Sequence, residues 1–67
     1  MIIATVETKG FGDTRFTDEL YFENKEAYKR WRMYWQTHPN SDRLVYGWGR
    51  SIRLQDITRV IKVEEEN

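Results

Sequence analysis

Between Asn24 and Thr37, Ala27, Tyr28, Trp31, Tyr34 and Trp35 recur three and four residues apart, which places them on one face of an α-helix. The stretch carries its own boundaries. Asn24 is suited to accept a hydrogen bond from an unpaired amide of the first turn. Glu26 complements the positive end of the helix dipole. His38-Pro39 ends the run, because a residue before proline is pushed out of the α region. Lys25, Lys29, Arg32 and Gln36 fall on the opposite side, with Arg30 and Met33 flanking. So much aromatic surface on one helix face must be covered, and any fold proposed for the chain has to supply the cover.

The covering layer has to come from strands. Ile2, Ala4 and Val6 alternate with Ile3, Thr5 and Glu7, the period of a β-strand. Gly10-Phe11-Gly12-Asp13 marks a turn, and Phe16, Leu20 and Phe22 then share one parity. Asp18 interrupts that parity, so this strand is expected to bulge or to start late. After the helix, Arg43–Gly49 reads as a strand weakened by Gly47 and Gly49. Ser51–Leu54 alternates again, Gln55-Asp56 suggests a turn or one 3₁₀ turn, and Thr58–Val63 is the last extended run. The expected fold is α+β, in the coarse order β-β-α-β-β. It has a mainly antiparallel three- or four-stranded sheet and one amphipathic helix packed on one face. Residues 1–63 form one small domain and residues 64–67 an acidic tail expected to fray.

The chain has 67 residues, and a domain of this size buries only about 60% of its unfolded surface. Such scaffolds need reinforcement from disulfides, a metal, oligomerisation or a heavy core. With no cysteine, disulfides and thiolate metal sites are excluded. Three Trp, four Tyr and three Phe supply the heavy core, each able to bury roughly 150–250 Å². Tyr28, Trp31 and Trp35 are therefore read as core. Lack of cysteine fits a reducing compartment. No apolar run approaches the roughly 18 residues of a membrane span, and Met1–Glu7 lacks the basic start of a signal peptide. The expected location is cytoplasmic, with no membrane partner.

Nothing in the sequence assembles catalytic chemistry. His38 is the one histidine, and beside Pro39 at a helix end it is read as favouring the dipole's negative end. Ser41 and Ser51 are turn serines without the base and orienting group a nucleophile needs. Asp18, Glu19 and Glu23 read as a solvated strand edge. Neither Gly10-Phe11-Gly12 nor Gly47-Trp48-Gly49 carries the lysine and following helix of a phosphate loop. No Cys/His zinc spacing or EF-hand loop occurs. No enzyme activity, cofactor or metal is expected.

Charge points instead to a binding surface. A net charge of zero conceals a balance of −3 over residues 1–26, +6 over residues 27–62 and −3 over residues 63–67. In the middle segment arginine outnumbers lysine six to two, and arginine suits forked contacts to carboxylate or phosphate and stacking on rings. The expected partner-binding residues are Lys29, Arg30, Arg32, Arg43, Tyr46, Trp48, Arg50 and Arg53. The favoured arrangement of the third strand turns Leu44, Tyr46 and Trp48 inward. In the alternative, Val45 faces the helix and Tyr46 and Trp48 form an exposed pair of the kind that dominates interfaces.

Three functions fit this surface. The first is a small protein that docks on a larger protein and modulates it. Solitary domains of this style are common among phage and mobile-element products, so an accessory protein acting on a host protein is the expectation. The second is a nucleic-acid module using arginine and exposed aromatics. The third is an assembly subunit that forms homo-oligomers through its sheet edges.

Overall fold

A computed structural model describes residues 1–47 and 49–66. Strand β1 (Ile2–Lys9) is followed by β2 (Arg15–Phe22), helix α1 (Lys25–Thr37), β3 (Leu44–Gly47), β4 (Arg50–Arg53), a 3₁₀ turn at Leu54–Asp56 and β5 (Ile57–Glu65). The strands form one five-stranded sheet in the order β4-β3-β2-β1-β5, and every described pairing is antiparallel. The fold is α+β, with more strands than the three or four expected. The difference arises in the C-terminal half. Gly49 adopts φ 84°, a left-handed conformation that glycine tolerates, and the chain folds back there. The expected strand Arg43–Gly49 therefore stops at Gly47 and pairs with Arg50–Arg53 as a hairpin.

β1 is the organising strand, paired with β2 on one side and β5 on the other. Ile2, Ala4, Val6 and Thr8 are all buried. Opposite them on β2 stand Phe22, Leu20, Asp18 and Phe16. The parity of β2 is thus unbroken, without the expected bulge, and Asp18 keeps its place on the helix-facing side. Nor is β2 a solvated edge, since β1 and β3 flank it. The irregularity lies in β5. Its register against β1 shifts between Thr5 and Val6 and again between Glu7 and Thr8. Two bulges of this kind each insert one residue and flip the alternation. They bring Ile57, Val60 and Val63 opposite Thr8, Val6 and Ala4, although the three are spaced by threes. β5 continues to Glu65. Glu66 exchanges backbone bonds with Met1, each 2.8 Å long.

The helix begins as anticipated, with the Asn24 side chain accepting from the Ala27 amide at 2.9 Å. Its aromatic face packs on a core of Ala4, Val6, Leu20, Ile52, Leu54 and Ile57. None of its residues is fully buried. Phe22, Tyr28 and Trp31 meet with ring centroids 5.4–6.1 Å apart, and Trp35 stacks on Trp31 at 5.7 Å. These rings form a half-open lid over the aliphatic core. Truncating Trp31 to Ala should cost about 3 kcal/mol, the low end for a large aromatic because part of the ring already meets solvent. Urea unfolding checks this, and a loss below about 1 kcal/mol would mean the lid contributes little to folding.

Candidate functional site

Trp48, one of the eight residues expected to bind a partner, lies outside the described residues. The other seven do not form one patch. Val45 and Gly47 face the helix side, where Val45 packs on the core and Gly47 abuts Ile52 and Leu20. Leu44 and Tyr46 consequently point to the open face, with Tyr46 74% exposed. The favoured inward arrangement of Leu44 and Tyr46 is therefore overturned. A residue the size of Tyr46 has no room on the side where Gly47 already touches the core.

Arg50 and Arg32 are committed within the fold. Arg50 straddles Asp18, its Nε 3.0 Å from Oδ1 and its Nη2 2.6 Å from Oδ2. Nη2 also donates to the Thr8 hydroxyl at 3.0 Å, and that hydroxyl donates to Asp18 Oδ2 at 2.9 Å. Thr8 is completely buried, and buried polar groups need such partners. This is why Asp18 can occupy an inward position. The cluster ties β4 to β1 and β2 across the helix-facing side. Arg32 is half-buried and donates to the Tyr28 hydroxyl at 2.6 Å, so it does not lie on the outer helix face. Lys29 is exposed there.

The remaining arginines gather around a groove. Among the described residues, β2 and β3 are in register at one point, Leu20 opposite Gly47. Toward Tyr21 and Tyr46 no further β2–β3 pair is in register among the described residues, and residues of α1 line the opening there. The resulting groove, of about 720 Å³, is lined by Ala27, Arg30, Trp31 and Tyr34 from the helix side. Tyr21 lines the β2 side, and Arg43, Leu44, Val45, Tyr46 and Leu54 line the rest. The Arg43 guanidinium lies over the Tyr34 ring, 4.7 Å from its centroid, a cation–π contact. Arg53 stands opposite Leu44 in the β3–β4 pair.

The groove is electrically lopsided. Its helix and β3 walls carry Arg30 and Arg43. On its β2 wall the Tyr21 hydroxyl is pushed above its ordinary 10.0, chiefly by desolvation and then by the charge of Glu19. Tyr21 donates to Glu19 at 3.3 Å, and Glu66 adds a weaker charge. Sequence reasoning missed Tyr21, Tyr34 and Leu44 as groove residues, because only the parting of β2 from β3 brings them together. It also missed Phe11, 95% exposed at the β1–β2 turn. The signal there was flanking glycines that leave the ring unshielded.

His38 stacks on Tyr34 at 4.4 Å and its Nδ1 lies 3.2 Å from the Tyr34 carbonyl, which places it at the helix end. Among the described residues no three His, Cys, Asp or Glu side chains converge as metal ligands, and no helix is long and apolar enough to cross a membrane. No protein-family model, curated protein or solved structure matches the chain.

The Arg50–Asp18 fork should govern acid stability. Arg50 first, with Thr8 assisting against burial, holds the Asp18 carboxyl below its ordinary 3.8. A depressed carboxylate contributes stability that is fully present above the unfolded pKa and disappears as pH falls through the folded one. Asp18→Asn should therefore cost about 1–2 kcal/mol at pH 7, a charged hydrogen-bond pair discounted for the exposure of Arg50. It should also flatten the decline in stability below pH 3.8. Thermal unfolding of both proteins from pH 7 to 2 measures the two effects. An acid limb unchanged by the substitution would contradict this role.

Proposed function

We propose that this protein is a non-enzymatic binding module that docks on a larger protein through the groove between α1 and β3. The observation that carries the reading is the groove's composition. Tyr21, Tyr34, Leu44 and Tyr46 offer aromatic and apolar surface beside Arg30 and Arg43. Tyrosine and arginine in a concave site are the residues that concentrate binding energy. A cytoplasmic protein is the partner we favour, in keeping with the absence of cysteine. Action on a host protein, in the manner of a mobile-element accessory factor, extends the same reading.

Two features weigh against the other readings. A single-stranded nucleic acid needs a positive track along its backbone, and here one wall of the groove is basic while the other lies beside Glu19 and Glu66. Assembly through sheet edges is opposed at both ends. β4 is only four residues long with arginine at each end, and β5 is bulged twice and carries Arg59, Lys62, Glu64 and Glu65. Short, charged and bulged edges deter strand addition.

The test is capture from nuclease-treated extract of the cells that make the protein. Wild type is compared with Tyr46→Ala and Arg43→Glu, and with Thr17→Ala on the open face as control. A protein should be retained equally by wild type and Thr17→Ala and lost at least about tenfold with either groove variant, the scale of an interface hot spot. Capture indifferent to the groove variants, or no capture at all, would overturn the reading. Capture seen from a parallel untreated extract and lost on nuclease treatment would transfer the groove to nucleic acid.

A further inference from the structure

The fold sorts its seven arginines into two groups. Arg15 pairs with Glu7 and bonds the Thr14 carbonyl. Arg32 is held by Tyr28, Arg50 by Asp18 and Thr8, and Arg59 by Glu7. Arg30, Arg43 and Arg53 are left, and their guanidinium groups make no hydrogen bond or ion pair among the described residues. All three border the groove. Arg30 and Arg43 line it, and Arg53 is the cross-strand neighbour of groove-lining Leu44. The lining itself contains no acidic residue.

We infer that the groove takes an acidic peptide segment of the partner, with one aromatic or aliphatic side chain seated among Tyr34, Leu44 and Tyr46 and flanking carboxylates gripped by Arg30, Arg43 and Arg53. The inference rests on the protein-binding reading and adds the chemistry of the partner. Charge complementarity is its basis. An arginine fork matches a carboxylate in bidentate geometry, and Arg43 is already oriented by the Tyr34 ring, which reduces the ordering cost of engaging it. The depth beside Trp31 and Leu54 suits an apolar anchor, and such anchors in pockets carry most of the affinity of a peptide site. The negative charge of Glu19 and Glu66 at the Tyr21 wall confines the carboxylates to the arginine side and sets the segment's direction.

The experiment pans a bacterial-display library of random dodecapeptides against the full-length protein. The enriched peptides are then measured free in solution by fluorescence anisotropy. The expected winners carry Asp or Glu beside an aromatic or leucine. Their affinity should fall at least tenfold for Arg30→Gln/Arg43→Gln/Arg53→Gln, and for a peptide twin with Asn and Gln in place of its acids, while the circular dichroism of the variant matches wild type. Each single Arg→Gln substitution is measured as well, so that misfolding of the triple variant does not decide the result. Enrichment of neutral or basic peptides that still depend on Tyr46 would overturn the acidic specificity and leave the docking groove standing. Failure to enrich any Tyr46-dependent peptide would overturn both. Displacement of the winning peptide by oligothymidylate at equal concentration would overturn it in favour of nucleic acid.

Discussion

Among the described residues, Gly47 is the point at which β3 pairs in register with β2. A Cβ there would lie 3.1 Å from the Glu19 carbonyl oxygen and 3.1 Å from Ile52 Cδ1, closer than nearly all real side chains come. A residue without a side chain lets β3 approach β2 opposite Leu20 without displacing either neighbour. The Arg50–Asp18–Thr8 cluster, just beyond this contact, fastens the hairpin at the same end. With both fastenings at one end, the other end is free to diverge. The helix rather than a strand fills the space, and the groove is the consequence.

The same economy explains the sheet's two faces. The helix-facing side holds the aliphatic core and an ionic cluster in which a completely buried threonine and an inward aspartate satisfy each other through Arg50. The opposite side carries Thr5, Thr17, Glu19 and Lys62 around a shallow depression, and a Glu7 network with Arg15, Thr58 and Arg59. Those charges are paired across the strands and read as a solvated face. What distinguishes the groove is that its arginines have been left without such partners.

Much of the framework could be read from residue patterns alone. The cap at Asn24, the helix and its aromatic face, and the first two strands follow from periodicity and local chemistry, and the structure places them where expected. Three features resisted. Asp18 looked like a break in parity because its compensating partner, Arg50, is 32 residues away. Ile57, Val60 and Val63 fit no simple strand period because two bulges re-phase them, and bulges are imposed by the neighbouring strand. The facing of Tyr46 turned on which side of the sheet could accommodate Gly47, a question of tertiary contact. The candidate site was legible only in part for the same reason. Arginine and tyrosine in the C-terminal half signalled a binding surface, yet the sequence could not separate Arg32 and Arg50, used by the fold, from Arg30, Arg43 and Arg53.

The groove depends on β2 and β3 pairing only at Leu20 and Gly47 among the described residues, and backbone nuclear Overhauser contacts in solution report that directly. Contacts should join Leu20 to Gly47 and be absent between the backbones of Tyr21 and Tyr46 and of Phe22 and Val45. A ladder of backbone contacts continuing through those two pairs would mean a closed sheet without a groove, and would contradict the account.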